Sequence, residues 1–266
     1  MKITMLQMDC KLASPAENFA HAEALIRQAA QDGPDVITLP ETFNIGFFPR
    51  EHLRELCDRE GEETIRRFSA LAKELQVNLV AGSVGNVRQD GIYNTCYIFD
   101  RQGKVLGNYD KTHLFSPMGE DQFFQKGSHL TTFQLDGVPC GVIICYDMRF
   151  LELVRSLSLQ GIQVLFVVAH WPDARLNHWR ILSQARAVEN QMFVVATNAC
   201  SRAGETRYAG HSMLVDPWGE ILAEGGPGEE RITGTLDFSV IRGIRESINV
   251  YRDRRPELYQ LDCNHQ

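Results

Sequence analysis

The 266-residue chain carries none of the short motifs that hold a metal or a nucleotide. It has no G-x-S-x-G elbow, H-E-x-x-H, P-loop or G-x-G-x-x-G, and its eight histidines do not pair at ligand spacing on one helix. No metal and no cofactor is therefore expected. No apolar run approaches the roughly 18 residues of a membrane span; the longest, Val164 to Ala169, is strand-sized. The opening MKITMLQMDCK lacks the apolar core and small-residue cleavage site of a secretory signal, so a cytoplasmic protein with no membrane partner is expected. Positive charge is also scarce: 27 Lys and Arg against 34 Asp and Glu leave a net charge of -7. That balance argues against a nucleic-acid partner, though it leaves room for a local basic pocket that binds a small anion. Linkers, strong repeats and low-complexity segments are missing as well.

Seven cysteines stand at positions 10, 57, 96, 140, 145, 200 and 263, and no two show C-x-x-C spacing. An odd, scattered set suits buried, reduced thiols rather than a disulfide framework.

Strand and helix signals alternate along the chain. Ile3 to Gln7 reads as a strand, and Ser14-Pro15-Ala16-Glu17 has the form of a capping box. Phe19, Ala22, Ile26 and Ala29 follow at helical spacing, then Asp35 to Leu39 as strand. Glu62 to Gln76 reads as helix and Val77 to Val84 as strand. Hairpins are expected about Asp100–Gly103, Asp136-Gly137 and Asp216–Gly219. Phe150 to Gln160 and Leu176 to Asn190 are helical, and Gln163 to Ala169 and Met192 to Thr197 are strands. A strand near Ile232 to Asp237 and a short helix near Phe238 to Arg245 precede a polar, arginine-rich tail. The pattern predicts one layered α/β domain with mixed sheets over residues 1–266.

Three residues carry chemical potential. Cys145 closes the run Val142-Ile143-Ile144 just before a helix, where backbone N–H groups and the helix end would lower a thiol's pKa. Glu41 follows the strand Val36–Leu39, where burial would raise its pKa toward that of a general base. Lys111 follows a strand ending in Asp110, a compact cation suited to a developing oxyanion. Taken singly, each has a plainer reading: a structural cysteine, a loop carboxylate, a solvated lysine.

Together they resemble a family. LPETF around Glu41, YDKTHLF around Lys111 and ICYDMRF around Cys145 closely resemble the signatures of the nitrilase (carbon–nitrogen hydrolase) superfamily, in its order and spacing. HWP (170–172), HWRILSQARAVENQ (178–191), AGHSMLVDPWGE (209–220) and YRDRRPELY (251–259) look like later blocks of its amidase branches, so nearly the whole chain takes part. The resemblance implies a four-layer αββα sandwich, a Glu41-Lys111-Cys145 triad and a homodimer or larger homo-oligomer. It also implies a second glutamate that positions the lysine and the substrate amide; Glu120 is the match, with Asp121 adjacent.

In that scheme Glu41 takes the thiol proton, Cys145 attacks an amide carbonyl, and Lys111 with the Tyr146 backbone N–H holds the oxyanion. His170 and Trp171 are placed near the pocket, His170 where related amidases often have Asn. Phe43, Phe47, Phe48 and Phe115 are candidates for its lining and equally for core. Arg149 reads as a structural ion pair behind the nucleophile, with a substrate carboxylate as the other possibility. Arg175, Arg202 and Arg207 read as surface arginines able to attract an acidic substrate, and His178 and Trp179 as packing. Residues 248–266 resemble the family's subunit-crossing arm. The blocks look most like omega-amidase-type members, which hydrolyse omega-amides such as 2-oxoglutaramate with water and release ammonia. Simple aliphatic amides, N-carbamoyl compounds, a silent binding subunit and an acyltransferase are the alternatives.

Overall fold

In the computed structural model the described residues are 1–259; Cys263 and the end of the expected arm, 260–266, lie outside them. The first sheet is built from β1 (Lys2–Gln7), β2 (Val36–Thr38), β3 (Asp58–Arg59), β4 (Asn78–Val80), β5 (Val84–Arg88), β6 (Gly91–Phe99) and β7 (Val105–Asp110). Side chains alternate along each strand. Ile3, Met5, Val36, Val80, Cys96 and Ile98 therefore turn to one face, and Leu6, Ile37, Leu79, Tyr97 and Phe99 to the other. The second face is covered by α1 (Pro15–Ala30), the single turn α2 (Leu53–Leu56) and α3 (Glu62–Leu75), through Phe19, Ile26, Leu53, Phe68 and Leu71.

The first face meets a second sheet. Its edge strand β8 (Thr132–Leu135) alternates exposed and buried residues, while β9 (Val138–Ile144), β10 (Val164–Ala169) and β11 (Phe193–Asn198) are buried along most or all of their length because both of their faces are covered. Helices α4 (Leu151–Leu159) and α5 (Leu176–Asn190) close the outside. A small hairpin, β12 (Arg202–Ala203) with β13 (Thr206–Arg207), precedes β14 (Met213–Val215) and β15 (Ile221–Glu224). Strand β16 (Glu230–Thr235) then crosses back to pair antiparallel with β1, and α6 (Ser239–Ser247) follows. The orders are β16-β1-β2-β4-β6-β5-β3, with β7 on β6, and β15-β14-β11-β10-β9-β8. Two mixed sheets between helical layers form the expected αββα sandwich. The parallel strands β2, β9 and β10 all end at one edge, where ligands of α/β folds gather.

Two local expectations fail. The run Val77 to Val84 is not one strand but two, because Gly82 adopts φ +58° and turns the chain between β4 and β5. Ser14 does not cap α1: its hydroxyl donates to Leu12 O at 3.2 Å, and Lys11 takes the Glu17 carboxylate that a capping box would need. Of the C-terminal tail, Ile248 and Tyr251 lie against their own chain. Ile248 O accepts from the Gln191 side chain, and the Tyr251 hydroxyl donates to Asn190 O.

Candidate active site

Four strand ends deliver the site. Glu41 follows β2, Lys111 follows β7, Cys145 follows β9 and His170 follows β10. The Lys111 ammonium lies between two carboxylates, 2.7 Å from Glu41 Oε1 and 2.9 and 3.0 Å from the oxygens of Glu120. All three side chains are essentially sealed from solvent. Glu41 also accepts from Asn94 Nδ2 at 2.9 Å and from the backbone N–H of His170 at 2.8 Å. Glu120 sits in a single 3-10 turn, Glu120–Gln122, and accepts from the Phe115 N–H at 2.7 Å. Asn94 was not foreseen, since a lone polar residue in a strand carries no signal of its own.

These contacts decide protonation. Burial opposes ionisation of Glu41, but the Lys111 charge, His170 and its hydrogen bonds outweigh it and hold the carboxyl below its ordinary value. The rise expected from burial alone does not occur. Burial prevails at Glu120, whose pKa is raised despite Lys111, with the Glu41 charge adding to the rise. Burial also opposes the Lys111 charge, yet the two carboxylates overcome it and keep the ammonium protonated.

Cys145 does not have the lowered pKa that its position at a strand end suggested. Its thiol is pushed well up, first by burial and then by the Glu41 charge, with Lys111 opposing. The long helix begins only at Leu151, and Cys145 opens a 3-10 turn, Cys145–Arg149, whose short dipole cannot offset the loss of water. The residue adopts φ +48°, a left-handed conformation that costs on the order of 1–3 kcal/mol outside glycine. Asp147 holds that turn. Its fully buried carboxylate accepts from the Ile144 N–H, the Tyr109 hydroxyl, the Thr112 hydroxyl and the His113 N–H, all within 3.0 Å.

The loop that carries Glu41 is braced by the turn that splits the expected strand. Ser83 donates its N–H to Pro40 O at 3.1 Å, and its hydroxyl accepts from the Thr42 N–H at 2.8 Å.

A small pocket opens from Cys145 and Lys111 toward solvent. Tyr146, His170, Trp171 and Phe115 line it, as expected, and so does Phe47. Phe43 instead packs between Phe19 and Phe68, and Phe48 against Phe123 and Phe124, so neither lines it. Burial lowers the His170 pKa to about 4, so the ring is neutral near pH 7. Its Nε2 meets the Ser201 hydroxyl at 3.1 Å, while the buried Nδ1 has no partner among the described residues. Because Glu41 uses only the backbone N–H here, an asparagine could supply the same bond. The buried Tyr208 hydroxyl, beside the pocket and likewise without a partner, carried no sequence signal.

Arg149 is not an ion pair behind the nucleophile. That place belongs to Arg186, which donates to Met148 O at 2.9 Å and pairs with Glu189 at 2.7 Å. Arg149 lines the pocket instead, its guanidinium over the Trp171 ring, and Arg175 joins it there. Arg202 and Arg207 remain exposed on the β12–β13 hairpin, and His178 is exposed while Trp179 is core. The six described cysteines are all free thiols. Among the described residues no cluster could hold a metal, and no helix is long and apolar enough to cross a membrane.

A buried Glu–Lys–Glu group thus lies beside a strained cysteine on an αββα sandwich, and sequence comparison gives the class of the protein. Residues 2–246 match the carbon-nitrogen hydrolase family, and the chain belongs to it. It is 40% identical over 257 residues to the 2-oxoglutaramate amidase of Bacillus subtilis, covering 97% of this chain and 98% of the relative. It is 35% identical over 263 residues to omega-amidase NIT2 of Xenopus tropicalis, covering 94% and 95%. The solved structure of a CN-hydrolase superfamily protein from Xanthomonas campestris, which carries an arsenic adduct in its active site, superposes with a TM-score of 0.89 at 27% identity, covering 96% and 97%. The protein is a carbon–nitrogen hydrolase.

Proposed function

We propose that the protein is an omega-amidase: it hydrolyses the terminal amide of a short dicarboxylate monoamide of the 2-oxoglutaramate kind, releasing ammonia. The single observation that carries this reading is the buried Lys111 clamped between Glu41 and Glu120 beside Cys145 at the floor of a small pocket. The names of its relatives support the substrate class.

The chemistry follows from the protonation states. Cys145 rests as a neutral thiol and Glu41 as a carboxylate. As sulfur adds to the amide carbon, the thiol proton passes to Glu41 and the carbonyl π electrons move onto oxygen. Lys111 and the Tyr146 N–H, on the first turn of a 3-10 helix where N–H groups lack intrahelical partners, stabilise that oxyanion. Collapse breaks the C–N bond, and Glu41 returns its proton to nitrogen, which leaves as ammonia. Glu41 then takes a proton from water; hydroxide adds to the thioester, the carboxylate forms, and the expelled sulfur regains its proton. Glu120 anchors Lys111 and the amide. A thiol nucleophile and six free cysteines suit the reducing cytoplasm.

Ammonia release across a panel of amides, paired with intact-mass detection of an acyl adduct on Cys145, tests the reading. Cys145→Ala should lose both signals; full turnover in that variant would exclude the thioester route. The chain acts as one catalytic domain, and its segment 248–266 as an arm that joins subunits. Since Ile248 and Tyr251 pack on their own chain, deleting 252–266 should lower the solution mass by light scattering; an unchanged mass would remove the arm's role.

A further inference from the structure

We infer that Arg149 and Arg175 form the anion-binding end of the pocket and receive the free carboxylate of the substrate amide.

The pocket is lined by three cations, Lys111, Arg149 and Arg175, and by no acidic side chain. Lys111 pairs with Glu41 and Glu120 and serves the oxyanion in the proposed mechanism, which leaves the two guanidiniums for a carboxylate. The two guanidiniums are different. Arg149 and Arg175 make no ion pair among the described residues, and unlike other unpaired arginines such as Arg155 and Arg245 they line the pocket that holds Cys145. Asp173 and Glu205 border the groove outside the pocket, yet neither pairs with them. Both arginines are half-buried, and burial together with the Arg175 charge holds the Arg149 pKa below its ordinary value. Placing two like charges in a partly desolvated pocket is costly unless an anion shares it.

Neither guanidinium is loose. Arg149 lies 4.8 Å over the Trp171 ring and its Nη2 is 3.2 Å from His178 Nδ1; Arg175 lies 5.2 Å over the Phe115 ring. Stacking on aromatic faces fixes their planes while leaving in-plane N–H donors for a ligand. The Arg175 carbonyl accepts the Trp171 indole N–H at 2.8 Å, so the same tryptophan steadies both arginines. A planar, charged fork suits a carboxylate, which accepts two parallel hydrogen bonds. The thiol and the two guanidiniums line one small pocket, which suits a short chain bearing both an amide and a carboxylate.

This inference rests on the amidase reading and names the residues that set its specificity. The test compares glutaramate and succinamate with the neutral amides valeramide and butyramide, for the wild type, Arg149→Gln, Arg175→Gln and the two Arg→Lys variants. The wild type should favour the anionic amides by at least about 100-fold in kcat/KM. Each Gln variant should shrink that preference about 100-fold, chiefly through KM, and each Lys variant should restore part of it. An unchanged preference in both Gln variants, or no preference in the wild type, would overturn the inference. Calorimetry with glutarate gives a reading independent of turnover: affinity should fall at least about 10-fold in each Gln variant, and undiminished binding would overturn the inference. Absence of all amide turnover alongside arginine-dependent glutarate binding would sink the amidase reading and leave the anion site standing.

Discussion

Asp147 accepts a hydrogen bond from the Tyr109 hydroxyl at 2.8 Å, and through it the turn that carries Cys145 is tied to the strand that delivers Lys111. The two sheets contribute one partner each, so this carboxylate sets the spacing of groups that lie far apart in sequence. Asp147→Asn keeps the size but puts an amide among N–H and O–H donors. It should cost about 2–4 kcal/mol in urea unfolding and lower kcat more than it alters KM. A loss below about 1 kcal/mol would show that the carboxylate does not organise the turn.

Gly82 shows how backbone freedom serves the site. At φ +58° a Cβ would lie 2.1 Å from Pro40 O, on the loop that presents Glu41. Gly82→Ala should destabilise the protein by about 2 kcal/mol or more and depress kcat, because the clash displaces Pro40. Normal melting temperature and turnover in the alanine variant would refute the bracing role.

The raised Cys145 thiol predicts slow chemistry in the absence of substrate. A pKa above the ordinary value leaves less thiolate at any given pH. Alkylation of Cys145 by iodoacetamide, followed by peptide mass, should therefore be slow at pH 7 and still climbing beyond pH 9. A plateau below pH 8 would mean that a resting thiolate exists.

His170 links the site to acid stability. Its pKa falls from the ordinary 6.5 to about 4 on folding, so below pH 6.5 the unfolded chain takes up this proton first. Stability is complete above 6.5 and is lost as pH falls toward 4, by up to roughly 3 kcal/mol from this group. Urea midpoints measured from pH 7 to pH 4 should fall less for His170→Asn than for the wild type. Parallel curves would assign acid sensitivity to other groups.

Much of the layout was legible in the chain itself. The strands at β1, β6, β9 and β10 were readable as short apolar-rich runs, and α5 runs from Leu176 to Asn190 as its pattern predicts. Glu41, Lys111 and Cys145 each stand in a short motif just after a strand, and Glu120, in a 3-10 turn, was reached only through the family resemblance. Asn94, Tyr208 and Ser83 were marked by neither, since their roles arise from distant neighbours and leave no local pattern.

What tertiary structure alone decided is charge and direction. A sequence places Cys145 at the end of a strand, but its pKa depends on lost water and on Glu41, 104 positions earlier, and these push it up. Glu41 moves down for the complementary reason, because Lys111 and the His170 N–H reach it from other strands. The sequence reading put Arg149 behind the nucleophile; the packing of α5 instead brings Arg186 there and leaves Arg149 facing the pocket. Spacing along a chain determines which residues can meet at a sheet edge, whereas solvent exclusion and through-space Coulomb interaction determine what each can do there.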